Sequence, residues 1–372
     1  MPRSEPDRLV ELDGLRGLAC LTVVLFHYVF LLVPDTSTGL GRYSARLLGL
    51  GWIGVDLFFV LSGFLLGGIL IDNRDSPHLF RTFYARRVFR IVPLYMAWYA
   101  LFLGLRVLHG WPPGLFDDTM PVWSYALYIQ NFFDAVNGRW GAHWMTITWS
   151  LAIEEQFYLL LPTVIVFCSR RRLPGILSTF IISALLARYA LSLYAPSHTL
   201  AAYTLLPCRW DALFLGVLGA WAVRHDGCQS WLSENRWFLR SILVTLGALL
   251  AVFLHRAPAF NGEVVREAGY TWIAMFCLAL LLAALHDAGF RRVLRLWPLT
   301  RLGIISYGVY IMHPAILWLV HWRFRRQLPR IVFPVDGWLT LLAFVLTIIL
   351  ATVSYCAFEA PLVRIGRRWR YR

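Results

Sequence analysis

The amino-acid sequence predicts an all-α protein that crosses a membrane about ten times. Of its 372 residues, 59% are hydrophobic and only 15% are charged, well below the charged share of a typical soluble protein. Apolar runs about 20 residues long recur along the whole chain, and each is long enough to cross roughly 30 Å of hydrocarbon as a helix. No polar segment is long enough to act as a linker. We therefore predict one membrane domain over residues 1–372, with its body at about 11–360 and a short basic tail at 361–372.

Each span follows from one apolar run, taken in chain order. The ten predicted spans are residues 14–33, 51–70, 91–109, 149–167, 175–194, 203–223, 238–255, 269–286, 302–320 and 335–357. All 35 basic residues are arginines, and most of them lie in alternate loops. Because basic loops stay in the cytoplasm, this distribution predicts that both termini are cytoplasmic. The arginine cluster within 323–330 is the exception.

The net charge of +14 comes from the same arginines. A basic chain can bind nucleic acid or a membrane surface. These arginines flank apolar runs, which favours membrane lipids as partners and excludes nucleic acid. The six cysteines form no C-x-x-C pair, and four lie within apolar runs, so we predict neither a disulfide framework nor a metal site. The N-terminal segment is too polar for a cleavable signal peptide, so the first span is expected to remain.

The first span carries two ionisable residues, in the stretch ELDGLRGLACLTVVLFHY. Arg16 and His27 lie on nearly one helical face, about 16 Å apart along the axis. Ionisable groups inside a span are rare and usually face a cavity or a partner. We hypothesise that Arg16 holds an anion at the inner mouth of a channel and that His27 transfers protons deeper in. The alternatives are an interface anchor at Arg16 and a histidine packed against a neighbouring helix.

The fourth span, TWSLAIEEQFYLLLP, carries Glu154 and Tyr158 on one face because their spacing is i,i+4. Glu154 is expected at the same depth as His27. A carboxylate beside an imidazole fixes its tautomer and makes it a better general base. The competing interpretation is a structural carboxylate paired with an arginine such as Arg188 or Arg209.

Further polar residues are candidates for binding a phosphate group or a substrate. Arg87 and Arg90, in RTFYARRVFRIVPLY before the third span, present two guanidinium groups on one face, and guanidinium forks match phosphate. A plain basic flank is the alternative. Asp56 and Arg209 lie inside spans and are, with Tyr158, candidate substrate contacts, or else helix-packing groups. The loop 110–148 is rich in tryptophan, which is typical of membrane interfaces and also of sugar-binding platforms.

Taken in order, these motifs resemble the acyltransferase-3 family of integral membrane O-acyltransferases. The resemblance covers nearly the whole chain and includes LDGLRGLACLTVVLFH, GVDLFFVLSGFLL, the Arg-x-x-Arg of 87–90, TWSLAIEEQFY, SYGVYIMHP and FEAPLVR. It implies transfer of an acyl group, with acetyl expected, from cytoplasmic acyl-coenzyme A to a hydroxyl of a carbohydrate, glycan or glycolipid. It also implies a bacterial inner (plasma) membrane location and no permanently bound cofactor. Some members carry a fused extracytoplasmic domain, which we do not expect here.

The resemblance also implies roles for individual residues. Arg16, Arg87 and Arg90 would bind the phosphates of coenzyme A, and its pantetheine arm would run toward His27. His27 acts either as general base, assisted by Glu154, or as an acylated intermediate. The main alternative function is a transporter or flippase of an anionic or glycosylated substrate. Transporters are often built from related halves with broken helices, and no such internal symmetry is found in the sequence.

Overall fold

The computed structural model describes residues 9–33, 48–108, 110–117, 120–256 and 262–371. Over these residues the chain is helical and contains no β-strand. Nine of the described helices are long and apolar enough to cross a membrane, and a tenth span is formed if the bent pair Asp226–Glu234 and Arg236–Val252 is counted as one. The prediction of a polytopic all-α membrane protein is therefore confirmed.

Ten long helices, α1 to α10, correspond to the ten predicted spans. In chain order they are Val10–Phe30, Gly49–Asp72, Leu79–Leu105, Thr146–Phe167, Leu173–Tyr194, Ala201–Ala222, Arg236–Arg256, Val265–His286, Trp297–Arg325 and Pro334–Gly366. Helix α3 begins twelve residues before the predicted start at residue 91 (91 − 79 = 12). The apolar run marks only the hydrocarbon-spanning part, whereas the helix continues through its arginine-rich end.

Glycines set the closest contacts between helices. A Cβ built on Gly303 of α9 would lie 1.8 Å from the carbonyl oxygen of Asp13 in α1. A Cβ on Gly63 of α2 would lie 1.9 Å from the carbonyl oxygen of Leu213 in α6. Small residues allow backbones to approach this closely in membrane proteins. The sequence thereby joins α1 to α9 and α2 to α6.

The end of the chain packs against the start of α3. The Arg86 guanidinium donates to the Trp369 carbonyl at 3.0 Å, and the Thr82 hydroxyl donates to the Arg370 carbonyl at 2.8 Å. The Arg81 guanidinium lies 4.2 Å from the centre of the Trp369 ring, a cation–π contact. The segment 369–371 therefore covers the part of α3 that precedes Arg87.

Candidate active site

A cavity of about 120 Å³ lies among α1, α2, α3, α4 and α9. Five of the eight predicted site residues line it: Arg16, Arg87, Arg90, Glu154 and Tyr158. They come from three helices that are distant in sequence. The cavity thus combines cationic side chains with a carboxyl and a phenol.

The cationic part of the cavity includes Arg87 and Arg90 of α3. Arg87 is half-buried and Arg90 is exposed, and they lie about one turn apart on α3. In the part of the chain that the structure describes, neither guanidinium forms an ion pair. Arg16, by contrast, pairs with Asp13 at 3.1 Å. Guanidinium groups that face a cavity and lack a carboxylate partner are suited to bind an anion.

A short hydrogen-bond chain forms another part of the wall. Tyr158 donates its hydroxyl proton to Glu154 Oε2 at 2.9 Å, as the i,i+4 spacing predicts. The Ser62 and Tyr158 hydroxyl oxygens are 2.7 Å apart. With the Tyr158 proton directed at Glu154, the Ser62 hydroxyl is the donor in this second bond. The carboxyl is thus tied to α2 through the phenol.

His27 lies outside the set of residues that line this cavity. Its Nδ1 is 2.9 Å from the Val23 carbonyl oxygen and 3.3 Å from Nε2 of His313 on α9. Tyr310, which does line the cavity, has its ring centre 6.1 Å from that of His313. Tyr310 and His313 therefore connect the cavity to His27.

The expected contact between His27 and Glu154 is not formed. Glu154 bonds to Tyr158, and His27 contacts His313. The physical reason is the direction of the two faces: the C-terminal part of α1 contacts α9 through His27 and His313, whereas Glu154 faces the cavity. The expectation rested on position along the two helices, which says nothing about the direction in which a helix face points.

The competing expectation, that Glu154 pairs with a buried arginine, is also wrong. Arg209 pairs with Asp56 at 2.6 Å, and Arg188 pairs with Asp211 at 2.9 Å, with all four side chains almost fully buried. Within each pair, the positive and negative charges neutralise each other inside the bundle.

Asp56 and Arg209 lie behind the cavity wall rather than on its surface. The Arg209 guanidinium lies 4.0 Å from the centre of the Tyr270 ring. It also lies 5.8 Å from the ring of Phe59, and Phe59 does line the cavity. The pair supports the wall, and neither Asp56 nor Arg209 is among the residues that line the cavity.

Several lining residues were not singled out from the sequence. The Ser150 and Tyr310 hydroxyl oxygens are 2.6 Å apart, and the Tyr307 hydroxyl donates to the Ile91 carbonyl at 2.8 Å. The signal lies in SYGVYIMHP, where Tyr307, Tyr310 and His313 recur every three residues and so share a helical face.

The tryptophan-rich loop is only partly a surface feature. Trp144 is buried and stacks on Trp98 with ring centres 4.4 Å apart, whereas the side chain of Trp123 is 52% exposed. His143 is exposed and stacks on Trp318 of α9, at 4.0 Å between ring centres. The loop therefore contributes both to the core and to the surface next to α9.

Comparison with known proteins gives one family and a set of relatives. Residues 9–358 match the family described as "Acyltransferase domain". The chain is 26% identical over 377 aligned residues to the O-acetyltransferase OatA of Staphylococcus aureus, covering 97% of this chain and 58% of that protein. It is 25% identical over 371 residues to the peptidoglycan O-acetyltransferase OatA of Listeria monocytogenes, covering 96% of this chain and 56% of that protein. The chain thus spans little more than half the length of these relatives. No solved structure matches it.

Proposed function

The chain belongs to the acyltransferase-3 family, and on that premise we propose that it moves an acyl group, with acetyl expected, from acyl-coenzyme A to a hydroxyl of a cell-wall glycan. The observation that carries this proposal is the cavity that Arg87 and Arg90, which form no ion pair with any described residue, line together with Glu154 and Tyr158. The relatives named above are O-acetyltransferases, one of them a peptidoglycan O-acetyltransferase. A bacterial inner membrane and a peptidoglycan-type acceptor are parts of the same proposal.

The arginines are proposed to bind the donor. Coenzyme A carries several phosphate groups, and guanidinium forks bind phosphate in a bidentate, charge-assisted manner. Arg87, Arg90 and Arg16 line one cavity on two helices, so they can contact one anionic molecule together. Placing them toward the cytoplasm agrees with the arginine distribution of the loops and with the cellular location of acyl-coenzyme A.

The cavity must widen when the donor binds. Its volume of about 120 Å³ is far below the roughly 300–1,000 Å³ of typical small-molecule sites. Entry of the thioester arm would move the side chains at the end of the cavity, where Tyr310 separates it from His313.

In the proposed reaction His27 is the general base. The acceptor hydroxyl oxygen attacks the thioester carbonyl, a C–O bond forms and the C–S bond breaks. The hydroxyl proton goes to His27, which then gives it to the departing thiolate, so that free coenzyme A is released. The alternative route has the imidazole attack first and carry the acyl group as an acyl-histidine before the hydroxyl takes it. Both routes need an unprotonated ring nitrogen on His27.

The proposal is tested with purified protein in lipid vesicles, supplied with acetyl-labelled acetyl-coenzyme A and a soluble glycan fragment. We expect release of coenzyme A together with an alkali-labile acetyl ester on the glycan. His27→Ala should abolish both, and Arg81→Gln is a matched control because Arg81 is exposed on α3 and stacks on Trp369. Movement of glycan across the vesicle membrane without ester formation would support a transporter. Normal turnover in the His27→Ala protein would exclude the proposed mechanism.

A further inference from the structure

A proline inside α9 leaves one backbone carbonyl in need of a donor. Pro314 lies in the middle of the helix Trp297–Arg325 and has no backbone N–H. In a regular helix that N–H would bond to the carbonyl four residues earlier, which here belongs to Tyr310. A buried carbonyl without a partner is unfavourable. The neighbouring side chain of His313 supplies the missing donor.

The protonation pattern of His313 follows from its contacts. His313 is fully buried, and its Nδ1 lies 2.8 Å from the Tyr310 carbonyl oxygen and 3.1 Å from the Val309 carbonyl oxygen. Carbonyl oxygens only accept, so Nδ1 must carry the hydrogen. In the neutral ring, Nε2 of His313 then has a lone pair and can only accept.

The same argument extends to His27. Its Nδ1 lies between two acceptors, the Val23 carbonyl oxygen at 2.9 Å and Nε2 of His313 at 3.3 Å. Nδ1 of His27 is therefore protonated and shared between them. Nε2 of His27 carries the lone pair, and no partner for it is found among the residues that the structure describes.

Local backbone geometry holds the two rings together. His27 lies in a π-helical turn, Phe26–Phe30, in which the Leu31 N–H donates to the Phe26 carbonyl at 3.0 Å. Such turns inside α-helices are frequent at functional sites. The Tyr28 hydroxyl donates to the His313 carbonyl at 2.8 Å, which links the two helices next to the rings.

We propose that His313 is a positioning residue that holds His27 in the tautomer with Nδ1 protonated, so that Nε2 of His27 is the basic nitrogen. This inference rests on the proposed function, in which His27 is the base. It gives His313 the orienting part that the sequence assigned to Glu154. When His27 takes the acceptor's proton at Nε2, its Nδ1–H still donates to His313, which stabilises the cation formed.

The first test compares three variants of the full-length protein in the vesicle assay. His313→Phe keeps a ring but removes the acceptor, so kcat should fall about 100-fold, with the KM for acetyl-coenzyme A within about twofold. His313→Gln places an amide oxygen that can accept from Nδ1–H, so kcat should recover to within about tenfold. His321→Phe, on the same helix, is the matched control and should leave both constants unchanged, since the Thr340 hydroxyl that contacts His321 also donates to the Asp336 carbonyl.

The second test reads the tautomer directly. In ¹⁵N-histidine-labelled unaltered protein, the His27 signals are assigned by their loss in the His27→Gln protein. A neutral His27 protonated at Nδ1 supports the inference, and one protonated at Nε2 overturns it, whether or not the His313 variants fold. Folded His313→Phe protein with unchanged kcat, in a chain where His27→Ala abolishes transfer, would contradict the inference and leave the proposed function intact.

Discussion

Removing the guanidinium of Arg87 should weaken donor binding without weakening the fold. Arg87 lines the cavity beside Arg90, and among the described residues it forms no ion pair, so Arg87→Met breaks none. A hydrogen bond to a charged group contributes about 1.5–3 kcal/mol. At about 1.4 kcal/mol per factor of ten, the KM for acetyl-coenzyme A should rise about 10- to 150-fold, with kcat nearly unchanged.

The assay is steady-state release of coenzyme A at varied donor concentration, with thermal unfolding followed by tryptophan fluorescence. Arg87→Lys keeps the charge but loses the planar fork, so its KM should lie between those of the unaltered and Met proteins. A donor that lacks the 3′-phosphate tests whether Arg87 binds that phosphate. If it does, Arg87→Met should change the KM for this shortened donor little. An unchanged KM for acetyl-coenzyme A in folded Arg87→Met protein would refute the assignment of this arginine to the donor.

Three further predictions concern stability. Arg188→Met should destabilise the protein by about 3–5 kcal/mol, because it leaves a buried carboxylate unpaired; thermal unfolding measures this, and an unchanged midpoint would contradict it. Gly303→Ala should cost at least about 1–3 kcal/mol, because the new Cβ meets a backbone oxygen, whereas Gly337→Ala, with nothing within 4 Å, should be tolerated; equal midpoints for the two would show that α1 and α9 separate easily. The hydrogen bond from Arg240 lowers the pKa of Asp287, so the ionised carboxylate stabilises the fold fully above its ordinary pKa, and this stabilisation is lost as pH falls through the lowered pKa. Asp287→Asn should remove this acid dependence from unfolding curves measured at several pH values. If the dependence is retained in the Asn protein, another group causes it.

The sequence predicted the spans and the charged residues of the cavity wall because both depend on local pattern. Arginines 87 and 90 at i,i+3, and Glu154 with Tyr158 at i,i+4, must share a helical face whatever the tertiary structure. In the structure, both helices direct these faces into one cavity. Local spacing was enough to identify them.

Contacts between helices were harder to predict. Asp56 and Arg209 are 153 positions apart, and nothing in the local sequence shows that Arg209 pairs with Asp56 rather than with Glu154. The contact of His27 with His313 depends on how α1 and α9 are rotated about their axes, and hydropathy does not report that rotation. Pro314 was a usable signal, since a proline within an apolar run frees a carbonyl that a nearby histidine can satisfy.

The helices that line the cavity differ in how much of their surface the rest of the protein buries. In the apolar window of α2, 72% of residues are buried, whereas in that of α3 the share is 28%. Helix α1 is fixed to α9 at Gly303, and it is fixed to α2 where a Cβ on Gly54 would lie 2.5 Å from the Ala19 carbonyl oxygen. Arg87 and Arg90 thus stand on the least enclosed helix of the cavity wall. A swing of α3, taking the segment 369–371 with it, would open the cavity and move both guanidinium groups outward, toward an incoming ligand.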